Sequence, residues 1–238
     1  MIRSNAAAIL GNLAVVFPLA WAVQWVAQNA LDRPLIDAQK AQATLDSFSA
    51  WGPTPIYAAA TGVLLWLSSL VAGWADNWFA LHRVHDVMAY DRRVRHLFGT
   101  RGAARWAGFW QRNISGIAGN VSLGLMLGLG PAIVSFFGPH VEVRHVTLSA
   151  GQIGSAIGAL GWEVVHTHAF WMAVAGTALT GILNVGVSFA LAFNVALRSR
   201  NLRRGDRQAL ALGVRRRIWQ RPATLFWPVK PRPAAPQA

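Results

Sequence analysis

The chain has 238 residues, of which 54% are hydrophobic and only 13% charged, with a net charge of +13 and no cysteine. That balance departs from an ordinary soluble domain towards a chain solvated by a bilayer. Without cysteine there is no disulfide framework, thiolate metal site or sulfur redox chemistry, and nothing in the sequence calls for a cofactor.

Charged residues are absent from 4–31, 47–75, 113–140 and 166–197, and each stretch exceeds the roughly 20 residues that a helix needs to cross a hydrocarbon core. The prediction is an all-α, polytopic membrane protein with four transmembrane helices centred on residues 6–28, 55–75, 114–137 and 170–197. Arg3 ahead of the first apolar run imitates a secretory signal, but bulky Trp21 and Trp25 stand where cleavage needs small residues. The segment therefore reads as a retained anchor. The loop after it, residues 29–53, sets Asp32, Asp37 and Asp46 against Arg33 and Lys40.

Residues 80–112 follow the second span and carry seven Arg against Asp86 and Asp91. Val84, Val87, Met88, Val94, Leu97 and Phe98 recur near the helical period. Gly99 to Gly102 then predict a break, and Trp106, Phe109 and Trp110 a second short amphipathic helix. Both helices are expected to lie on the membrane surface. His82, His85 and Asp86, at i, i+3 and i+4, would share one helix face and form the weak candidate for a metal site. Arg92, Arg93 and Arg95, with Arg203, Arg204, Arg215, Arg216 and Arg217 further on, are candidate contacts for anionic lipid headgroups or nucleic acid.

The third span contains Gly116, Gly119, Gly124, Gly128 and Gly130-Pro131. Gly124 and Gly128 make a small-xxx-small pair that admits a close neighbouring backbone, and Pro131 is expected to kink or end the helix. Gly116, Gly124, Gly128 and Pro131 are the candidate packing residues. Residues 146–162 are uncharged but short and rich in Gly, Ser and Thr, so a re-entrant or interfacial segment is expected there. The fourth span offers Gly176, Thr180 and Asn184 as a facing stripe. Beyond it the tail holds eleven Lys and Arg, with Asp206 opening a short helix. Residues 1–221 are expected to form one helical transmembrane domain and residues 222–238 a Pro-rich, extended tail.

The positive-inside rule places both 80–112 and the basic tail in the cytoplasm and the acidic first loop outside, which an even number of crossings satisfies. Both termini would then be cytoplasmic, and the location a bacterial inner membrane. Trp25, Trp51, Trp74, Trp78, Trp162 and Trp171 fall near span ends, where amphipathic rings favour the headgroup layer; Trp66 is mid-span. Asn12, Asp76, Asn120 and Asn184 are intramembrane polar groups that should face the interior or an interface. Asp76 would be compensated by water or by Arg83, Arg112 or Arg198. No P-loop, nucleophile elbow or pair of catalytic carboxylates occurs.

Four strings, Ala8-Ile-Leu-Gly-Asn12, Asn113-Ile-Ser-Gly-Ile-Ala-Gly-Asn-Val-Ser-Leu-Gly124, Val143-Arg-His-Val-Thr-Leu-Ser149 and Arg221-Pro-Ala-Thr-Leu-Phe-Trp-Pro228, together resemble the bacterial integral-membrane family of site-specific recombinases. The resemblance runs over essentially the whole chain and corresponds to the membrane half of longer members, which carry a soluble helical region ahead of it. It implies DNA strand exchange. A tyrosine recombinase would need a Tyr nucleophile among Arg and His; Tyr57 lies in or near a span, so Tyr90, flanked by Arg83, His85, Arg92, Arg93, Arg95 and His96, is the sole candidate. A serine recombinase would need a soluble sheet domain, for which the chain has no room.

Three functions are compatible with these features. The leading one is a non-enzymatic membrane scaffold or anchor, its partners anionic lipid, other membrane helices or a second copy. The second is a membrane-tethered protein that acts on DNA, and the third a small transporter using the Gly-Pro span, the re-entrant segment and Asp76.

Overall fold

The computed structural model describes residues 2–49, 51–138, 142–199 and 204–220. Among these residues every regular element is helical: α1 (Ile2–Asn29), α2 (Ala38–Ser47), α3 (Thr54–Leu81), α4 (Val84–Tyr90), α5 (Arg92–Phe136), α6 (Val146–Leu160), a short 3-10 turn (Trp162–His166), α7 (His168–Ser199) and α8 (Arg204–Gln220). Within α1, α3, α5 and α7 lie four segments long and apolar enough to cross a membrane, and α6 is a shorter apolar helix. These are the four charge-free stretches and the short fifth segment. Residues 222–238, and Arg203, lie outside the described residues.

The described residues within 1–55 and 145–220 form one compact unit. Lipid tails are as apolar as leucine, so helices in a membrane associate through close backbone approach and hydrogen bonds. Both devices appear here. Gly151, Gly154 and Gly158 of α6 meet successively later turns of α1: Val16 and Ala20, then the Phe17 carbonyl, then Trp21 and Gln24. The two helices therefore run in the same direction. Gln24, fully buried, donates from Nε2 to the Ile36 carbonyl (2.9 Å) and accepts at Oε1 from the Ile36 N–H (3.2 Å). That clamp fastens the segment leading into α2.

Helix α2 has no counterpart among the helices expected from the sequence. Asp37 caps it by accepting from the Lys40 N–H at 2.7 Å, and Ala41, Leu45 and Phe48 repeat at helical spacing. They join Ile153, Ala156 and Ile157 of α6, Val164 of the turn and Ala173 of α7 in the core of this unit. Gly176 of α7 lies so close to the Phe48 carbonyl that a Cβ would overlap it. Helix α6 is buried along most of its length. At 15 residues it measures about 22 Å, short of a hydrocarbon core of roughly 30 Å.

Residues 56–144 form the second unit. Here α3 and α5 approach at Gly119, where a Cβ would stand 3.2 Å from that of Ala72. The N–H of buried Arg144 donates to Oγ1 of Thr61 in α3 (3.2 Å), and its guanidinium pairs with Glu142. In α5 the helix does not end at Pro131: helical dihedrals continue through it to Phe136. Proline removes one N–H bond but leaves φ helical, and the flanking turns carry the helix past it. The expected break falls at Gly99 (φ 66°, ψ 172°), where two helical stretches of α5 meet at a kink; beyond it, residues 100–112 run directly into the third span instead of forming a helix of their own.

Candidate anion-binding cap on α4 and α5

The basic segment after α3 folds into a small cap within the second unit. Arg83 adopts a left-handed backbone (φ 50°, ψ 38°), which ends α3 at Leu81 and restarts the chain as α4. This break corrects the proposed metal face: His82 lies on the far side of it from His85 and Asp86, and its Nδ1 faces the Trp78 carbonyl at 2.9 Å. Asp86 instead pairs with Arg83 (2.8 Å) and His85 (3.3 Å). The His85 hydrogen bond, followed by the Arg83 one, holds its carboxyl below the usual carboxylate range. No cluster of three metal-ligating side chains occurs among the described residues.

Asp91 ends α4 and caps α5, accepting from the N–H groups of Arg93 (2.8 Å) and Val94 (3.0 Å). Its negative charge is thus committed to the helix N-terminus. The next residues, Arg92, Arg93, Arg95, His96 and Leu97, line an open recess of about 590 Å³. Arg95 is fixed from two sides: Nε donates to the Ala89 carbonyl (2.9 Å), and the guanidinium lies 4.6 Å from the centroid of the Tyr90 ring. Ala103 and Ala107 of α5 are fully buried, as small residues allow where another helix packs closely. Beside the basic residues, Phe98, Trp106, Phe109 and Trp110 form a contiguous aromatic cluster with centroid separations of 5.7–6.1 Å.

The other singled-out residues are dispersed. Asn12, Asp76 and Asn120 are exposed on α1, α3 and α5, and no ion pair reaches Asp76 among the described residues. Asn184 is buried on α7 and accepts the N–H of Val146, the first residue of α6, at 3.2 Å. At Gly116, Gly124 and Gly128 nothing lies within 4 Å of where a Cβ would stand. Arg215 and Arg216 are exposed on α8; Arg204 and Arg217 are placed there as backbone. Sequence reasoning missed Gln24, Gly151, Gly154 and Gly158. The i, i+3, i+7 spacing of the three glycines was the available signal.

A family model described as site-specific recombinase matches residues 1–228. The chain belongs to the site-specific recombinase family. No curated protein and no solved structure gives a significant match. Within this family member, Tyr90 is 70% exposed, and Arg95 covers its ring face. Arg83 and His85, the upstream members of the basic run around it, are both engaged with Asp86.

Proposed function

We propose that this recombinase-family chain works as a non-catalytic membrane scaffold, anchored by its four long apolar helices and presenting basic surfaces to an anionic leaflet. The observation that carries this reading is the disposition of charge around Tyr90. A nucleophile in phosphoryl transfer needs cations beside its hydroxyl, where negative charge develops. Here the Arg95 guanidinium lies over the ring, and upstream Arg83 and His85 are engaged with the Asp86 carboxylate. Arginines so arranged attract anions by charge alone, each adding about 1 kcal/mol near an acidic leaflet. The surface is read as cytoplasmic and the membrane as the bacterial inner one, on the positive-inside asymmetry.

The family match favours a second reading, direct action on DNA. One experiment separates the two: purified protein is incubated with duplex DNA and denatured, and covalent adducts are sought. No adduct is expected, and DNA binding should weaken steeply and log-linearly with salt, with little sequence preference. An adduct that disappears in Tyr90→Phe would overturn the scaffold reading.

A further inference from the structure

We infer that the recess lined by Arg92, Arg93, Arg95 and His96 is a discrete binding site for the phosphate headgroup of an anionic phospholipid. The inference deepens the scaffold reading, on which it rests, by replacing diffuse attraction with a defined site. Four observations converge on it.

The first is uncompensated charge. Two acidic residues lie in residues 80–112, and both are consumed elsewhere: Asp86 by Arg83 and His85, Asp91 by the backbone N–H groups of Arg93 and Val94. Neither neutralises the guanidinium groups of Arg92 and Arg93, which are exposed at the recess. The second is preorganisation. Arg95 is already immobilised by the Ala89 carbonyl and the Tyr90 ring, so its rotamer entropy is lost before a ligand arrives. A planar guanidinium held in this way presents a fixed fork of donors to phosphate oxygens.

The third is depth. Helix α4 begins at Val84, just beyond the apolar helix that ends at Leu81, and the headgroup layer on each side of a bilayer is some 5–8 Å thick. The cap is thus joined directly to the end of a helix apolar and long enough to span. The fourth is the aromatic cluster in the same cap, with Phe98, Trp106 and Phe109 partly exposed. Such rings favour the interface between headgroups and acyl chains, so the cap offers cations to the phosphate and an apolar shelf to the chains attached to it. A dissolved phosphate or duplex DNA, whose bases are paired and stacked, would use only the first half.

The test uses the full chain in phosphatidylcholine nanodiscs, with and without phosphatidylglycerol, and reads both thermal unfolding and lipid affinity. The charge-removing pair Arg92→Gln with Arg93→Gln is compared with Arg101→Gln plus Arg105→Gln, which removes the same charge from the same cap outside the recess. Each variant's shift is measured against its own unfolding temperature in pure phosphatidylcholine, so a change in basal stability does not enter. Phosphatidylglycerol should stabilise the native chain, and the recess pair should lower its affinity on the order of tenfold, the control pair by less than about threefold. Arg95→Lys, which keeps the charge and loses the fork, should resemble the recess pair. Equal losses in both pairs would overturn the site while leaving the scaffold reading intact. Equal protection by glycerol phosphate or by short duplex DNA would overturn the assignment to lipid.

Discussion

At the scale of residues, the contrast between two sets of glycines decides where the chain is intolerant. Gly154 faces the carbonyl of Phe17, and Gly158 would place a Cβ 2.9 Å from Gln24, whereas Gly124 meets nothing within 4 Å. Gly154→Ala is therefore expected to destabilise by about 1–3 kcal/mol, the usual range for overpacking. Gly124→Ala should change stability by less than about 0.5 kcal/mol, as read by thermal unfolding in one detergent. Within the second unit, no close backbone approach is made at Gly124 or Gly128 among the described residues. The familiar four-residue spacing drew notice to them, while Gly151, Gly154 and Gly158 sit in a segment too short to announce itself as a span. A similar exchange occurs among the amides. Asn12 and Gln24 look alike as lone polar groups in an apolar run, yet only Gln24 finds a backbone partner in Ile36, and no local pattern reveals a partner across a loop. Asp86 adds a pH dependence. Its folded pKa is lowered, so its contribution is complete above the ordinary carboxylate pKa and is lost as pH falls through the lower folded value. Protease susceptibility of the α4 region should rise only in that acidic window, and Asp86→Asn should show the raised level at neutral pH.

At the scale of elements, the long helices were legible because charge alone delimits them, and what sequence obscured were the joints. Residues 99–102 contain two glycines, and only Gly99 leaves the helix; from Gly102 onward the chain is helical, with no cap or proline to stop it before the third span. Helix α2 was overlooked because Lys40 and Asp46 give its surroundings the composition of a loop, although Ala41, Leu45 and Phe48 already mark one buried stripe. The start of α6 depends on a side chain from another element. Val146 is buried and its N–H donates to Asn184, and an unmet buried donor costs about 1–3 kcal/mol. Asn184→Leu should lower stability by that amount, and Asn184→Asp, which retains an acceptor oxygen, by less. Hydrogen exchange confined to the first turn of α6 would locate the effect; uniform loosening of α7 would refute it.

At the scale of the whole molecule, the positive-inside asymmetry predicts an even number of crossings, with both basic segments in the cytoplasm. Single cysteines introduced into this cysteine-free chain are expected to report this directly. With an impermeant thiol reagent, a cysteine at position 205 should label only after cells are opened and one at position 35 in intact cells. Labelling of position 205 from outside would require α6, or another element, to complete a further crossing. The glycine-lined contact of α6 with α1 also sets an order of assembly. Its halves are separated by α2 to α5 in the chain, so during synthesis α1 is made well before α6 exists. The Gln24 clamp uses Ile36, only 12 residues away, and can close early to quiet one buried amide. The groove beside Phe17 and Trp21 cannot be filled until residues 146–160 emerge. Until then it stays open to lipid or to any insertion factor that shields it, and a chain truncated before α6 would display that unfilled groove to whatever monitors membrane proteins for completion.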